Sequence, residues 1–252
     1  MEAAAKFTDA NGLLYNGIFD ESTNLEDWLQ GIARSFLLRV SNRNGKKSFR
    51  PRLPTNADGT IFTGAVPWIF TFTEEHVLPN GFDIEYIELI GRKPICAQML
   101  WRQQPDDDIG IIRSTEVRFA GEAISGPFEQ YDLSNFCTSE DHAVKIGAYE
   151  VARRKFIEHT LRLQVRPASF NATISLGDIV RVELRRESTA GDVTLHNYLY
   201  EVERINRNIS GSVELDLTHF PVNKDGQSLL AMYVLDAEGA GFELPTGRDN
   251  CQ

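Results

Sequence analysis

Three consecutive aspartates, Asp106, Asp107 and Asp108, make the densest group of hard oxygen ligands in the chain. Calcium loops space their ligands over about a dozen residues, with a fixed glycine inside and a terminal glutamate. That spacing is missing, and with Pro105 beside them the aspartates read as a solvated acidic loop. The five histidines, His76, His142, His159, His196 and His219, never recur at the spacing that sets two imidazoles on one helix face. No serine sits in a Gly-x-Ser-x-Gly elbow, and no glycine-rich phosphate loop follows a strand. Carboxylate pairs such as Glu74 with Glu75, or Glu201 with Glu203, have the chemistry for acid and base work on a sugar. Alternating acids on a strand are more simply its wet face. Cys96, Cys137 and Cys251 are odd in number and widely spaced, so Cys96 and Cys137 read as small core residues rather than as a disulfide or metal pair. The residue types thus predict no catalytic site, no metal and no cofactor.

One group of cations stands out. Arg39, Arg43, Lys46, Lys47, Arg50 and Arg52 cluster in a short stretch that reads as a hairpin. They form either a solvated hairpin or a docking patch for an acidic neighbour or a phosphate, and the partner patch is assigned to Arg43, Lys46, Lys47, Arg50 and Arg52. Against this local excess the whole chain carries a net charge of -10, which opposes nucleic-acid binding as its main task. With 42% hydrophobic and 25% charged residues the composition is that of a globular protein. No apolar run approaches the ~20 residues that cross a bilayer, and residues 1–10 show no basic segment followed by an apolar one. The expectation is a protein made in a cytoplasm.

The elements that must position these residues centre on the stretch from Phe136 to Leu184. Thr138 or Ser139 can cap a helix whose first turn carries Glu140 and Asp141 and whose last turn carries Arg153, Arg154 and Lys155. Val144, Ala148, Val151 and Ala152 mark one face of it. With no glycine or proline pause the period changes to two. Leu161, Leu163 and Val165 then alternate with Thr160, Arg162, Gln164 and Arg166, a half-buried strand. Gly177-Asp178 turns the chain into a strand in which Val180, Val182 and Leu184 alternate with Arg181 and Glu183.

Upstream, Met1 to Lys6 reads Glu-Ala-Ala-Ala-Lys, a helix-favouring sequence also used as a spacer. Ser22 to Leu38 predicts an amphipathic helix, and Asn44-Gly45 a hairpin joining Leu38–Val40 to Lys47–Arg52. Trp68 to Phe72 reads as a short strand, and Thr73 to Leu78 as a single capped helical turn. Phe82–Glu88 and Ile95–Arg102 read as two strands of a second hairpin, and Ile111–Phe119 as another strand. Gly121 to Gly126 reads as a linker. Tyr198–Ile205, Ser212–Thr218 and Leu229–Leu235 predict three further strands, and Gly239 to Gln252 a tail. The predicted class is α+β and β-rich. It divides serially into residues 1–21 as an extension, 22–120 as a smaller α/β helix-hairpin module, 121–238 as a helix plus antiparallel β-barrel-like module, and 239–252 as the tail.

The order of motifs supports a resemblance. Asp27-Trp-Leu-Gln-Gly-Ile, then Asn44-Gly-Lys ending in Arg50-Pro-Arg-Leu, Thr71-Phe-Thr-Glu-Glu-His-Val-Leu-Pro, Phe82 to Tyr86 and Ala97-Gln-Met-Leu-Trp-Arg follow one another. Tyr131-Asp-Leu-Ser-Asn-Phe-Cys-Thr-Ser-Glu-Asp-His-Ala-Val, Ala152-Arg-Arg and Leu176-Gly-Asp-Ile-Val-Arg-Val complete the series. Together they resemble the tail-tip attachment and baseplate-hub proteins of tailed bacteriophages, over roughly Asn24 to Leu235. The resemblance implies a non-catalytic structural protein of the virion, three copies of which form the hub that closes the tail tube and through which DNA is ejected. It implies a barrel-like hub module with the α/β module on its outside. Its partners would be its own copies and other tail proteins: the tube or distal tail protein, the tape measure, and fibre or wedge proteins. The polar strand faces at Thr160, Arg162, Gln164, Arg166, Arg181 and Glu183 would then serve the oligomer interface. An acidic balance fits a ring that must not grip DNA in passage. Many tip proteins are several times longer and carry receptor-binding parts that have no counterpart here. Two other readings remain open. A carbohydrate-binding or fibre-connecting module would expose Trp68 or Trp101 on a groove, and a tail-associated cell-wall hydrolase would need a cleft with paired carboxylates.

Overall fold

A computed structural model describes residues 2–17, 25–43, 46–88, 95–103, 110–119, 128–167, 170, 173–187, 193–208, 211–237 and 243–244. In chain order the elements are α1 (Glu2–Ala10), α2 (Leu25–Ala33), a 3-10 turn (Arg34–Phe36), β1 (Leu38–Arg43), β2 (Lys46–Pro51), β3 (Thr71–Phe72), β4 (Val77–Tyr86) and β5 (Cys96–Gln103). There follow β6 (Ile111–Phe119), β7 (Phe128–Asp132), α3 (Glu140–Phe156), β8 (His159–Val165), β9 (Ile179–Glu187), β10 (Val193–Arg207), β11 (Val213–His219), α4 (Leu229–Asp236) and β12 (Glu243–Leu244). The class is α+β and β-rich, as the sequence predicts.

The chain forms two compact units that interleave in sequence. One takes residues 1–64, 93–156 and 223–252, and the other 65–92 and 157–222. The sequence predicts a serial division, whereas α3, expected beside the barrel strands, clusters with the helix-hairpin elements. Residues 1–21 are likewise more than an appendage, because α1 buries Phe7 completely and Ala4 almost so in the core of the first unit.

In the first unit α3 is covered on nearly every side. Val144, Ala148, Val151 and Ala152 are buried as their spacing predicts, and so are His142, Tyr149, Glu150 and Phe156. Ser139 caps the helix, its Oγ accepting from the His142 amide at 3.4 Å. The four-stranded sheet β12-β6-β5-β7 lies against α3, with β5 and β6 antiparallel and β7 parallel to β5. Contact is close at Gly147, where an added Cβ would stand 2.8 Å from Val117 Cγ2 and 3.0 Å from Met99 Cγ. Cys96 and Cys137 are buried free thiols. β1 and β2 form the expected antiparallel hairpin. Its Asn44-Gly45 turn lies outside the described residues, as do Asp106 to Asp108 and the 121–126 stretch.

Two strand expectations are corrected here. Leu229–Leu235 is helical: α4 runs to Asp236, capped by Ser228, whose side chain accepts from the Ala231 amide. Leu, Ala and Met favour a helix, and the segment is apolar on every side, so neither period stands out. Tyr233 joins Phe119 and Phe156 in an aromatic cluster, with centroids 5.2 Å from each. Second, β4 and β5 do not form a hairpin. β4 pairs with β8 and β5 with β6 and β7, in different sheets. β7 itself escapes the sequence reading because its exposed and half-buried residues give no apolar alternation.

The Glu150 carboxylate is buried between two guanidinium groups. Arg34 binds it through two hydrogen bonds of 2.6 Å, and Arg153 Nε stands at 3.0 Å. Burial pushes this carboxyl up. The hydrogen bonds from Arg34 and the charges of Arg153 and Arg34 outweigh that and hold it below its ordinary value. The same pairing raises the Arg34 guanidinium.

The second unit is one six-stranded sheet in the order β3-β9-β10-β11-β8-β4, curled into a half-barrel. β8, β11, β10 and β9 are antiparallel neighbours, and β3 adds in parallel to β9. Its inner face carries Leu161, Leu163, Val165, Val180, Val182, Val202, Leu215 and Leu217, all buried. Of the expected 68–72 strand, Thr71 and Phe72 form the ladder with β9, and the Ile69 amide donates to Ile179 O at 3.0 Å just before it. The 73–78 segment makes one turn, closed by the His76 amide on Thr73 O at 3.0 Å, before β4 begins. β4 breaks register between Val77 and Phe82, where Asn80 takes a left-handed φ of 59°.

Two predictions follow from the first unit. Gly147→Ala should lower stability by about 1–2 kcal/mol, because overpacking outweighs the helix propensity gained. Gly31→Ala, exposed on α2 with nothing within 4 Å of the new methyl, should raise it by about 0.5–1 kcal/mol. Thermal unfolding of both variants tests the contrast. Glu150→Gln should cost about 2–4 kcal/mol near neutral pH. Since the folded carboxyl lies below its ordinary 4.5, the stabilisation is complete above that pH and lost as pH falls through the folded value. Denaturant titrations at neutral and acid pH should therefore show the wild type losing its advantage over the variant.

Candidate functional site

Alternation along β8 to β11 divides the half-barrel into two chemically distinct faces. On the outer face the register makes a ladder of charge. Asp83 of β4 pairs with Arg162 of β8, Arg162 with Asp216 of β11, and Asp216 with Arg204 of β10. Arg162 Nε lies 3.4 Å from Asp216 and 3.5 Å from Glu214, and Arg204 Nε lies 3.5 Å from Asp216. Thr160 faces Thr218, and Gln164 faces Glu214. Of the six residues assigned to an oligomer interface, Thr160, Arg162 and Gln164 thus sit together on this ladder. Arg181 and Glu183 lie on the same face on β9, separated from them by β10 and β11. Arg181 Nε donates to Asn197 Oδ1 at 2.7 Å, and its guanidinium stands 5.1 Å from the Trp68 ring. Glu201, opposite Thr218, also belongs to this polar face, and Glu203 is exposed at the register shift that follows Val202.

Arg166, just past β8, is placed apart. It lines a cavity of about 330 Å³ with Glu74, Phe82, Leu184, Arg185 and His196. Glu74 closes one side by accepting from the Arg185 amide at 2.5 Å, and that hydrogen bond holds its carboxyl below the ordinary value.

The basic hairpin is less uniform than its composition suggests. Arg43 and Lys46 are a register pair, and Arg50 pairs with the buried Arg39. Lys47 alternates to the opposite face from Arg50, sharing it with Val40 and Phe49, which pack on the core. Arg52 Nε donates to Leu38 O at 3.1 Å. Lys47 and Arg50 therefore lie on opposite faces of the hairpin.

The inner face holds a site that sequence spacing could not show. At the end of the sheet where β8 begins and β11 ends, one row carries Tyr86, His159, His219 and Tyr200, with His196 and Tyr198 further along β10. His159, His196, His219 and Tyr200 are all buried. The Tyr200 hydroxyl lies 2.7 Å from Nε2 of His159 and 2.7 Å from Nε2 of His196. One phenol proton can serve one of these nitrogens, so the other imidazole must donate its own Nε2–H. Burial, with the neighbouring Tyr86 and Tyr198, pushes the Tyr200 phenol above its ordinary range and keeps it neutral. His159 stacks on His219 with centroids 4.5 Å apart, and Glu158 brings a carboxylate to the pair. The only signal in the sequence is that His159, Tyr200 and His219 hold inward positions of alternating strands. Of the two tryptophans considered for a groove, Trp101 on β5 of the first unit is buried, donating to Thr115 Oγ1 at 3.0 Å, whereas Trp68 is 44% exposed.

These features define a β-rich, two-unit protein built on a half-barrel with a charged outer face and a histidine–tyrosine end. No family model and no curated protein sequence matches the chain. Solved structures do. A chain from the virion of a native gene transfer agent (GTA) particle matches over 86% of this chain and 46% of its own, with TM-score 0.53 and 11% identity. The tail protein from Neisseria meningitidis MC58 follows at TM-score 0.44 and 14% identity, over 87% of this chain and 59% of that one. The 43 kDa tail protein of prophage MuSo2 from Shewanella oneidensis gives 0.42 and 10%, over 79% and 53%. The chain spans about half the length of these proteins, and the likeness to the virion chain establishes a shared fold.

Tyr200→Phe should leave two buried imidazole nitrogens short of a hydrogen bond and cost about 2–4 kcal/mol. Arg162→Ala, on the wet face, should cost under about 1 kcal/mol. Chemical denaturation of the two variants measures the difference.

Proposed function

We propose that the chain is a structural, non-catalytic component of a phage-type tail, located at the tail tip or baseplate. The observation that carries this reading is the fold shared with a virion chain over 86% of the length. Within the tail the proposal is a hub subunit, three copies of which close the end of the tube and leave a passage for DNA. The half-barrel supplies the ring, with Thr160, Arg162, Gln164, Arg166, Arg181 and Glu183 at or near the contacts between copies. A charged sheet face suits this role, because paired charges fix register between subunits more than they add affinity. The cations of the β1–β2 hairpin, Arg43, Lys46, Lys47, Arg50 and Arg52, are proposed to meet neighbouring tail proteins. The net charge of -10 agrees with a ring that lets nucleic acid pass.

A fibre-connecting or carbohydrate-binding role is the second reading, favoured by one observation. Trp68 and Ile69 are exposed side by side, 44% and 49%, at the start of the half-barrel segment. A sugar titration that quenches Trp68 fluorescence would support it over the hub.

Light scattering over a range of concentrations tests the hub directly. A mass three times the 28.4 kDa of one chain is the expected result, and Arg162→Glu combined with Arg181→Glu should return it to monomer. A strict monomer at every concentration would move the assignment to a peripheral connector of the tail.

A further inference from the structure

We propose that Glu158, His159 and His219 form a binding site for one divalent transition-metal ion of the zinc type, tying the start of β8 to the end of β11. One ligand atom from each of the three lies within 4.8 Å of the others. Two imidazoles and one carboxylate select first-row metals such as zinc or cobalt over calcium or magnesium, which prefer an all-oxygen shell.

Strand register builds this site. β11 pairs with β8 up to Thr218 opposite Thr160, and one residue beyond that pair the rings of His219 and His159 stack with centroids 4.5 Å apart. Directly opposed residues on one face have their Cβ atoms about 5 Å apart, a span that two imidazoles can close on one ion. Both histidines are buried, while Glu158 is half-buried and gives the site its way to solvent.

The surroundings orient the ligands. Tyr200 takes Nε2 of His159, so His159 presents Nδ1 to the metal, with the tyrosine fixing the ring through its other nitrogen. Tyr200 is fixed in turn by His196 at 2.7 Å. His219 is held more loosely, its Nδ1 accepting from the Glu158 amide at 3.4 Å. Zinc ligands stand about 2.0–2.2 Å from the ion, which places tetrahedral donors about 3.4 Å apart. The ligand atoms, now within 4.8 Å of one another, reach that spacing by side-chain rotation in which the two stacked rings, now 14° from parallel, turn until both planes contain the ion. Water completes the fourth position.

The test uses untagged full-length protein, stripped with a chelator and titrated with zinc chloride in a calorimeter and with cobalt chloride in a spectrophotometer. The expected result is one ion per chain, visible cobalt absorption of a four-coordinate site, and a rise in unfolding temperature with zinc. His219→Ala should abolish binding, and Glu158→Gln should weaken it at least tenfold. Glu203→Gln, exposed on β10, should leave it unchanged. Glu158→Gln exchanges one half-buried oxygen and keeps the fold, so the test stands even where His219→Ala does not fold. Absence of stoichiometric binding, or equal affinity in the wild type and Glu158→Gln, would overturn the proposal.

Discussion

The pairing of β8 with β11 is the constraint on which the half-barrel depends. In one register it sets Leu161, Leu163 and Val165 against Leu217, Leu215 and Val213 inside, and Arg162 against Asp216 outside. A slip by one residue would send every one of these side chains to the wrong face. The apolar contacts supply most of the free energy, since each buried Leu or Val contributes roughly 1.5–3 kcal/mol relative to exposure. The ion pairs of the outer ladder contribute far less in solvent and act mainly as register marks. The same register delivers His159 to His219, so the polar end of the sheet follows from the apolar middle.

Where a single local rule decided the outcome, the sequence was readable. The cap and charge pattern of α3, the alternation of β8 and β9, and the turn at Gly177, which takes a φ of 81°, all appear as expected. Legibility failed where long-range packing decided. α4 carries apolar residues on every side because it is enclosed by Phe119, Phe156 and α3, and an all-apolar run has no period to betray its type. β4 and β5, adjacent in sequence, were free to join different sheets, since nothing local dictates a partner strand. The histidine–tyrosine cluster was invisible for the same reason: its members are scattered from Tyr86 to His219 and meet only through register.

Each unit holds one prominent buried polar arrangement. The first buries one carboxylate, Glu150, and offsets its desolvation with two arginines whose outer portions stay in water. The second gathers buried imidazoles and a phenol, with the Tyr200 hydroxyl shared between His159 and His196. The first arrangement ties α3 to the chain just after α2, and the second closes the end of a sheet. The sequence reading found neither, because an arginine or a tyrosine in an alternating pattern does not announce its partner.

The interleaving of the two units has a consequence for biosynthesis. The chain crosses between them after residues 64, 92, 156 and 222, so neither unit is a contiguous stretch of message. The half-barrel is complete once residue 222 has left the ribosome, while the first unit must wait for α4 to cover Phe119 and Phe156. Until then α3 holds a large apolar surface without its last partner. A shortened transcript that stops after β11 would thus yield a finished sheet joined to an unfinished helical core, a species prone to aggregation. The order of synthesis thus sets when the core of the first unit can close.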